Sequence, residues 1–161
     1  MSKFPVKRNA IPGDGSVGLA VTDIWDVGRY IARIIADPRT LNKSVFAYAE
    51  VQTLNGLYDV WDAIERQKVT RNYVPDEEEI EEMIAKGKAG FEAGNPDWQA
   101  IANLHVGQYW RSWGIRGDNT PENAKYLGYL DVHELYPDHK PVTYADWVER
   151  AVAGEVKSPL A

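Results

Sequence analysis

Short β-branched or aromatic runs alternate along this chain with longer stretches whose apolar residues recur at helical spacing. Such interleaving defines an α/β or α+β class with helix in excess, because each amphipathic helix needs a sheet or another helix to cover its apolar stripe. Ser16 to Thr22 reads as a strand. Asp23 then opens a helix as N-cap, with Asp26 three residues on and Ile24, Val27, Tyr30, Ile31, Ile34 and Ile35 on one face. Asp37-Pro38 stops it, since the residue before proline avoids the helical region. Ser44 to Ala49 reads as a strand, and Thr53 caps a second helix with Leu54, Leu57, Tyr58, Trp61 and Ile64 inward. Lys68 to Val74 alternates as a strand does. Pro75 and Asp76-Glu77-Glu78-Glu79 begin a third helix with acids at its positive end; Gly87, Gly90 and Gly94 then loosen the chain. A fourth helix over about 96–113 carries Trp98, Ile101, Ala102, His105 and Tyr109 on one face, and 114–123 is a turn-rich loop. Residues 126–137 hold a short strand or turn and a brief helix around Glu134. Thr143, with Asp146, caps the last helix, whose stripe is Tyr144, Trp147, Val148, Ala151 and Val152. The expected organisation is an irregular entry over 1–15, one domain over 16–156 and a tail over 157–161.

The chain has 161 residues and a net charge of −6. That charge argues against a nucleic-acid surface, which needs a concentrated positive field. Without cysteine, disulfides, thiolate metal sites and cysteine nucleophiles are excluded. No apolar run is long enough to span a bilayer, and Met-Ser-Lys-Phe-Pro-Val-Lys-Arg has no apolar core of the kind a secretory signal needs, so no secretory signal, a cytoplasmic location and no membrane partner are expected.

Gly13-Asp14-Gly15-Ser16-Val17-Gly18 literally spells G-x-G-x-x-G. A dinucleotide cradle needs that turn between a strand and a helix, whereas here a strand-like run follows, so a loop leading into a strand is the better reading. His105, His133 and His139 have no metal-ligand spacing; the last two flank a Tyr-Pro turn and read as exposed. No metal is expected. His105 lies beside Trp98, Ile101 and Tyr109 and is either a hydrogen-bonded core histidine or part of a pocket wall. Tyr109-Trp110-Arg111-Ser112-Trp113 is the densest aromatic cluster, either the wall of an apolar pocket or helix packing. Glu77, Glu78, Glu79, Glu81 and Glu82 read as a solvated helix start rather than an acid/base pair. In Arg116-Gly117-Asp118-Asn119-Thr120, Asp118 and Asn119 are expected to cap local backbone.

Several segments together resemble the NmrA-like, or isoflavone-reductase-like, family of atypical short-chain dehydrogenases. They are Thr22 to Tyr30, the heptapeptide Asp37-Pro38-Arg39-Thr40-Leu41-Asn42-Lys43, Arg71-Asn72-Tyr73-Val74-Pro75, Ile115 to Thr120, and Leu135-Tyr136-Pro137-Asp138 ahead of the Thr143 helix. The heptapeptide is the most specific. The resemblance covers nearly the whole chain and implies the C-terminal, substrate-side half of a Rossmann-type, NAD(P)-dependent oxidoreductase. The Gly-rich turn, the phosphate-recognition region and the catalytic lysine of the family would lie outside this chain. No cofactor is therefore expected in it, although full-length relatives use NADPH, and no catalytic residue is assigned.

The resemblance and the aromatic density together put His105, Tyr109, Trp110 and Trp113 on the wall of a pocket for an apolar or aromatic small molecule. On this reading the chain is inactive alone. A non-catalytic regulator or protein-binding module, self-associating or meeting a partner through an exposed sheet edge, is the second reading; a small cofactor-independent enzyme that reuses the pocket is the third.

Overall fold

The computed structural model describes residues 10–74, 77–94 and 96–156, which form two compact units. The first contains residues up to Gly18 and Thr70–Asp118; the second contains Leu19–Val69 and the chain from Asn119 onward. Part of the expected entry segment is a strand. β1 (Ala10–Pro12) pairs in parallel with β5 (Asn72–Val74), setting Ile11 opposite Tyr73. Only three residues of the alternating stretch over 68–74 enter that ladder.

The first unit is dominated by α3 (Glu77–Glu92) against α4 (Trp98–Tyr109). Pro75 and Asp76, expected at the start of α3, lie outside the described residues. The glycines expected to loosen the chain do the opposite at two positions, since α3 runs through Gly87 and Gly90. A Cβ on Gly87 would come within 2.5 Å of the Leu104 backbone nitrogen, and one on Gly90 within 2.4 Å of Ala100 Cβ. From the other helix, a Cβ on Gly107 would meet Ile84 Cγ1 at 2.7 Å. The helices approach closely because these positions carry no side chain, and Ile80 and Ile84 are sealed beneath them. The buried face of α4 is accordingly Ala100, Ala102 and Gly107, while Trp98 and Tyr109, expected inward, are exposed. Small residues win that face because bulky ones would hold the helices apart.

In the second unit β2 (Gly18–Val21) pairs with β4 (Glu50–Thr53), and β3 (Val45–Phe46) pairs in parallel with β6 (Leu130–Asp131). α1 (Ile24–Ile34) is capped by Asp23, whose carboxylate accepts from the Trp25 amide. Its buried residues are Asp26 and Tyr30; of the expected stripe Tyr30 and Ile34 pack inward, while Ile24, Val27, Ile31 and Ile35 are exposed. Tyr30 joins Tyr48, Val132 and Tyr136 in a core flanked by Ile34, Phe46 and Leu135. α2 (Leu54–Glu65), capped by Thr53, packs on α7 (Tyr144–Val152), whose Val148 is fully enclosed. The capping box of Thr143 and Asp146 is formed as expected. Within the segment expected to be loop, Thr120 caps the short α5 (Pro121–Tyr126). The brief helix around Glu134 is α6 (Val132–Leu135). No helix of the described residues is long and apolar enough to cross a membrane.

Gly87→Ala is expected to cost about 1–3 kcal/mol, because its methyl group overpacks the α3–α4 crossing. Gly28→Ala, in α1 with nothing within 4 Å of the added carbon, is expected to gain about 0.5–1 kcal/mol. Urea denaturation of the two variants checks this; equal midpoints would refute the close-approach account.

Candidate functional site

The aromatic cluster of the first unit sits where helix geometry changes. α4 ends at Tyr109, and Trp110–Ile115 forms a π-helical turn in which the Arg116 amide reaches back to the Arg111 carbonyl at 3.0 Å. Wide turns of this kind occur mostly as single insertions in α-helices, frequently at functional sites. Tyr109 and Trp113 meet edge to face, with centroids 5.5 Å apart, leaving Tyr109 exposed and Trp113 half-buried. The Trp113 Nε1 donor is buried without a hydrogen-bond acceptor. Trp110 is half-buried on the same turn. His105 is exposed one turn earlier and meets Phe91 edge to face at 6.3 Å. Tyr109 and Trp113 are thus in contact, while His105 is turned to Phe91.

The other sequence candidates occupy structural roles. The glycine run links β1 to β2, strand to strand; Gly13 and Gly15 have positive φ, and the Asp14 carboxylate accepts from the Ser16 amide and hydroxyl. A strand and not a helix follows, so this run lacks the helix N-terminus on which a dinucleotide pyrophosphate rests. Glu81 pairs with Arg111 and Glu82 with Lys86 on an exposed helix surface. Asp118 accepts from the Ser112 hydroxyl and the Arg116 guanidinium, which hold its carboxyl below the usual range. Asn119 does not cap local backbone: its side-chain amide donates to the Ala20 carbonyl of β2.

The second unit holds what the sequence reading missed. Asp26 is wholly buried, and its carboxylate accepts from Arg29 Nη1 at 2.8 Å and the Val142 amide at 2.7 Å, with His139 Nε2 at 3.2 Å. Burial alone would raise its pKa; the Arg29 and Val142 hydrogen bonds and the Arg29 and His139 charges outweigh burial and hold it below the ordinary carboxylate value. His139, expected exposed, is instead largely enclosed, edge-on to Tyr30 at 4.6 Å. His133 is exposed as expected and stacks on Tyr48. Tyr30 and Tyr48 are pushed up to about 12, by burial first and then by nearby carboxylates, so both phenols stay protonated at neutral pH.

The same unit contains a cavity of about 930 Å³, walled by the end of β2, the first turn of α1, Leu57 of α2, and Tyr144 and Trp147 of α7. The signal for it was present in Trp25, a tryptophan in the first turn of an otherwise amphipathic helix. Among the described residues, no cluster of three or more His, Asp or Glu is placed to hold a metal ion.

Short parallel strand pairs among longer helices give an α/β fold with helix in excess. No family model matches the chain. It is 40% identical over 141 residues to asnovolin J 5',6'-dehydrogenase of Aspergillus novofumigatus, covering 88% of this chain and 43% of that protein. It is 26% identical over 146 residues to a phenylcoumaran benzylic ether reductase of Nicotiana tabacum, covering 89% of this chain and 43% of that one. Its fold matches leucoanthocyanidin reductase of Vitis vinifera, solved with NADPH, at a TM-score of 0.68 and 22% identity, over 89% of this chain and 46% of that one. The relatives it matches are isoflavone-reductase-like proteins of the NmrA-like superfamily. It spans less than half the length of these relatives.

Because the folded pKa of Asp26 lies below its unfolded value, its contribution to stability is fully present above about pH 4 and is lost as pH falls through the folded pKa. Asp26→Ala leaves the Val142 amide without its acceptor and is expected to cost about 1–3 kcal/mol at pH 7. It should also flatten the acid limb of a stability-versus-pH curve; an unchanged limb would show that Asp26 does not carry that dependence.

Proposed function

We propose that this chain supplies the substrate-binding part of an NADPH-dependent oxidoreductase acting on an apolar, ring-bearing small molecule, and that it is inactive without the dinucleotide-binding half. The reading rests on the 40% identity to asnovolin J 5',6'-dehydrogenase over 88% of this chain. NADPH belongs to this reading through the leucoanthocyanidin reductase complex. Within the chain, the π-helical turn and its aromatic residues are assigned to the substrate wall. Tyr109 and Trp113 offer an edge-to-face pair, Trp110 extends it, and His105 lies one turn before. The unpartnered Trp113 indole N–H supports the assignment, because a buried donor without an acceptor costs stability unless another group satisfies it. The chemistry of the bound nicotinamide would be hydride transfer; the role of this chain is to orient the substrate and keep water from it.

Calorimetry of NADPH against the purified chain is expected to show no binding; micromolar binding would overturn the division of labour. Joined to the part of asnovolin J 5',6'-dehydrogenase outside the matched stretch, the chain is expected to bind NADPH. There, Tyr109→Ala should raise KM for an apolar substrate about tenfold with little change in kcat. An unchanged KM would remove this turn from the substrate wall.

A further inference from the structure

The cavity of the second unit takes no part in the wall proposed above, and its lining carries a specific chemistry. We infer that it is a binding site for a neutral polycyclic small molecule, with its rings against Trp147 and Tyr144 and an oxygen-bearing end toward Arg150.

Size comes first. At about 930 Å³ the cavity lies near the top of the ~300–1,000 Å³ range of small-molecule sites, room for three or four fused rings. Shape comes from the rings. Tyr144 and Trp147 lie nearly parallel, 15° apart with centroids at 6.2 Å, and present adjoining flat faces. Burial raises the Tyr144 phenol above its ordinary value, with a smaller contribution from Tyr58, so at neutral pH it is an uncharged surface. Trp25 at the rim is 58% exposed, and covering it with an apolar ligand gives a large aromatic area to bury.

Charge selects against ions. Arg150 is the one cation among the described lining residues, and two carboxylates, Asp23 and Glu155, line the same space. Asp23 is engaged as the cap of α1, so the amides there are not offered to an anion. The Thr143–Asp146 capping box closes the start of α7 in the same way. A phosphate or carboxylate ligand would meet a net negative lining, whereas a neutral hydroxyl or carbonyl finds the Arg150 guanidinium as donor.

The site is also held in place. α2 packs on α7, the Tyr144 amide donates to Glu50 of β4, and the Val142 amide is fixed by Asp26. Such fixing lowers the ordering cost of binding.

The test uses the whole chain with pyrene, 1-hydroxypyrene and 1-pyrenesulfonate as probes, read by energy transfer from tryptophan and by equilibrium dialysis. One saturable site is expected, with 1-hydroxypyrene preferred and the sulfonate weakest. Leu57→Trp, which fills the cavity, and Trp147→Ala, which removes its wall, should each weaken binding at least about tenfold. Thermal melts identify which of the two variants keeps its fold, and either one suffices. Ile31→Glu, on the exposed side of α1, should leave binding unchanged. Arg150→Met should abolish the preference for 1-hydroxypyrene over pyrene. Absence of saturable binding by the folded chain, tightest binding of the sulfonate, or loss on Ile31→Glu with the cavity variants unaffected would each overturn the assignment.

Discussion

A single buried carboxylate organises the second unit. Asp26 sits in the first turns of α1, where a side chain as short as aspartate reaches across to a segment more than a hundred residues later. A fully enclosed carboxylate is costly unless charged or amide donors surround it, and here a guanidinium, an imidazole and a backbone amide do so. The consequence is geometric. Val142 is held just before Thr143, so the start of α7 is set by α1, and the walls of the cavity follow from that placement. The Arg33–Asp138 pair and the bond from Arg39 Nη2 to the Leu135 carbonyl tie the same late segment to the far end of α1 and the turn after it. Charged groups thus fix where the chain returns, and the apolar residues fill the space so defined.

The first unit reaches order by the opposite route. Its helices meet through absent side chains, at Gly87, Gly90 and Gly107. Close packing of this kind leaves little slack. In the wide turn after α4, Gly114 lies so near Pro12 that an added Cβ would be 2.3 Å from the proline Cγ. The turn is therefore pinned against β1, and its aromatic side chains are presented by a backbone with little freedom to relax.

What could be read from sequence divides along the range of the interactions involved. Caps are local: Asp23, Thr53 and Thr143 with Asp146 each satisfy amides within three residues, and all stand where the sequence placed them. Which face of a helix is buried is not local. The stripe read for α1 is half right: Tyr30 and Ile34 pack inward, but the face is chosen by partners at Tyr48, Val132 and Val142, which takes Asp26 inside and leaves Ile24, Val27 and Ile31 outside. The glycines of α3 read as breakers, because nothing nearby in sequence announces that Ala100 and Leu104 will press on them. At the candidate wall the aromatic density was legible. The π-helical turn and the outward position of His105 were not, since both depend on how α4 meets α3.

The heptapeptide Asp37 to Lys43 shows why a strong family signal says little about chemistry. Asp37 caps a 3₁₀ turn over Pro38–Thr40 by accepting from the Arg39 amide, and it holds the Arg39 guanidinium as well. These bonds draw the Asp37 carboxyl down to about 2. The Thr40 hydroxyl lies within 2.7 Å of both the Ile34 and the Asp37 carbonyls, closing the end of α1. Asn42 takes the left-handed conformation, with φ of 56°, that asparagine tolerates better than most residues. Each of these residues therefore has a task in stopping one helix and turning the chain toward β3, and none of them faces the cavity. A motif of this kind identifies a fold through its turn chemistry. Activity belongs to the groups that meet a ligand, and a turn motif of this kind carries none of them.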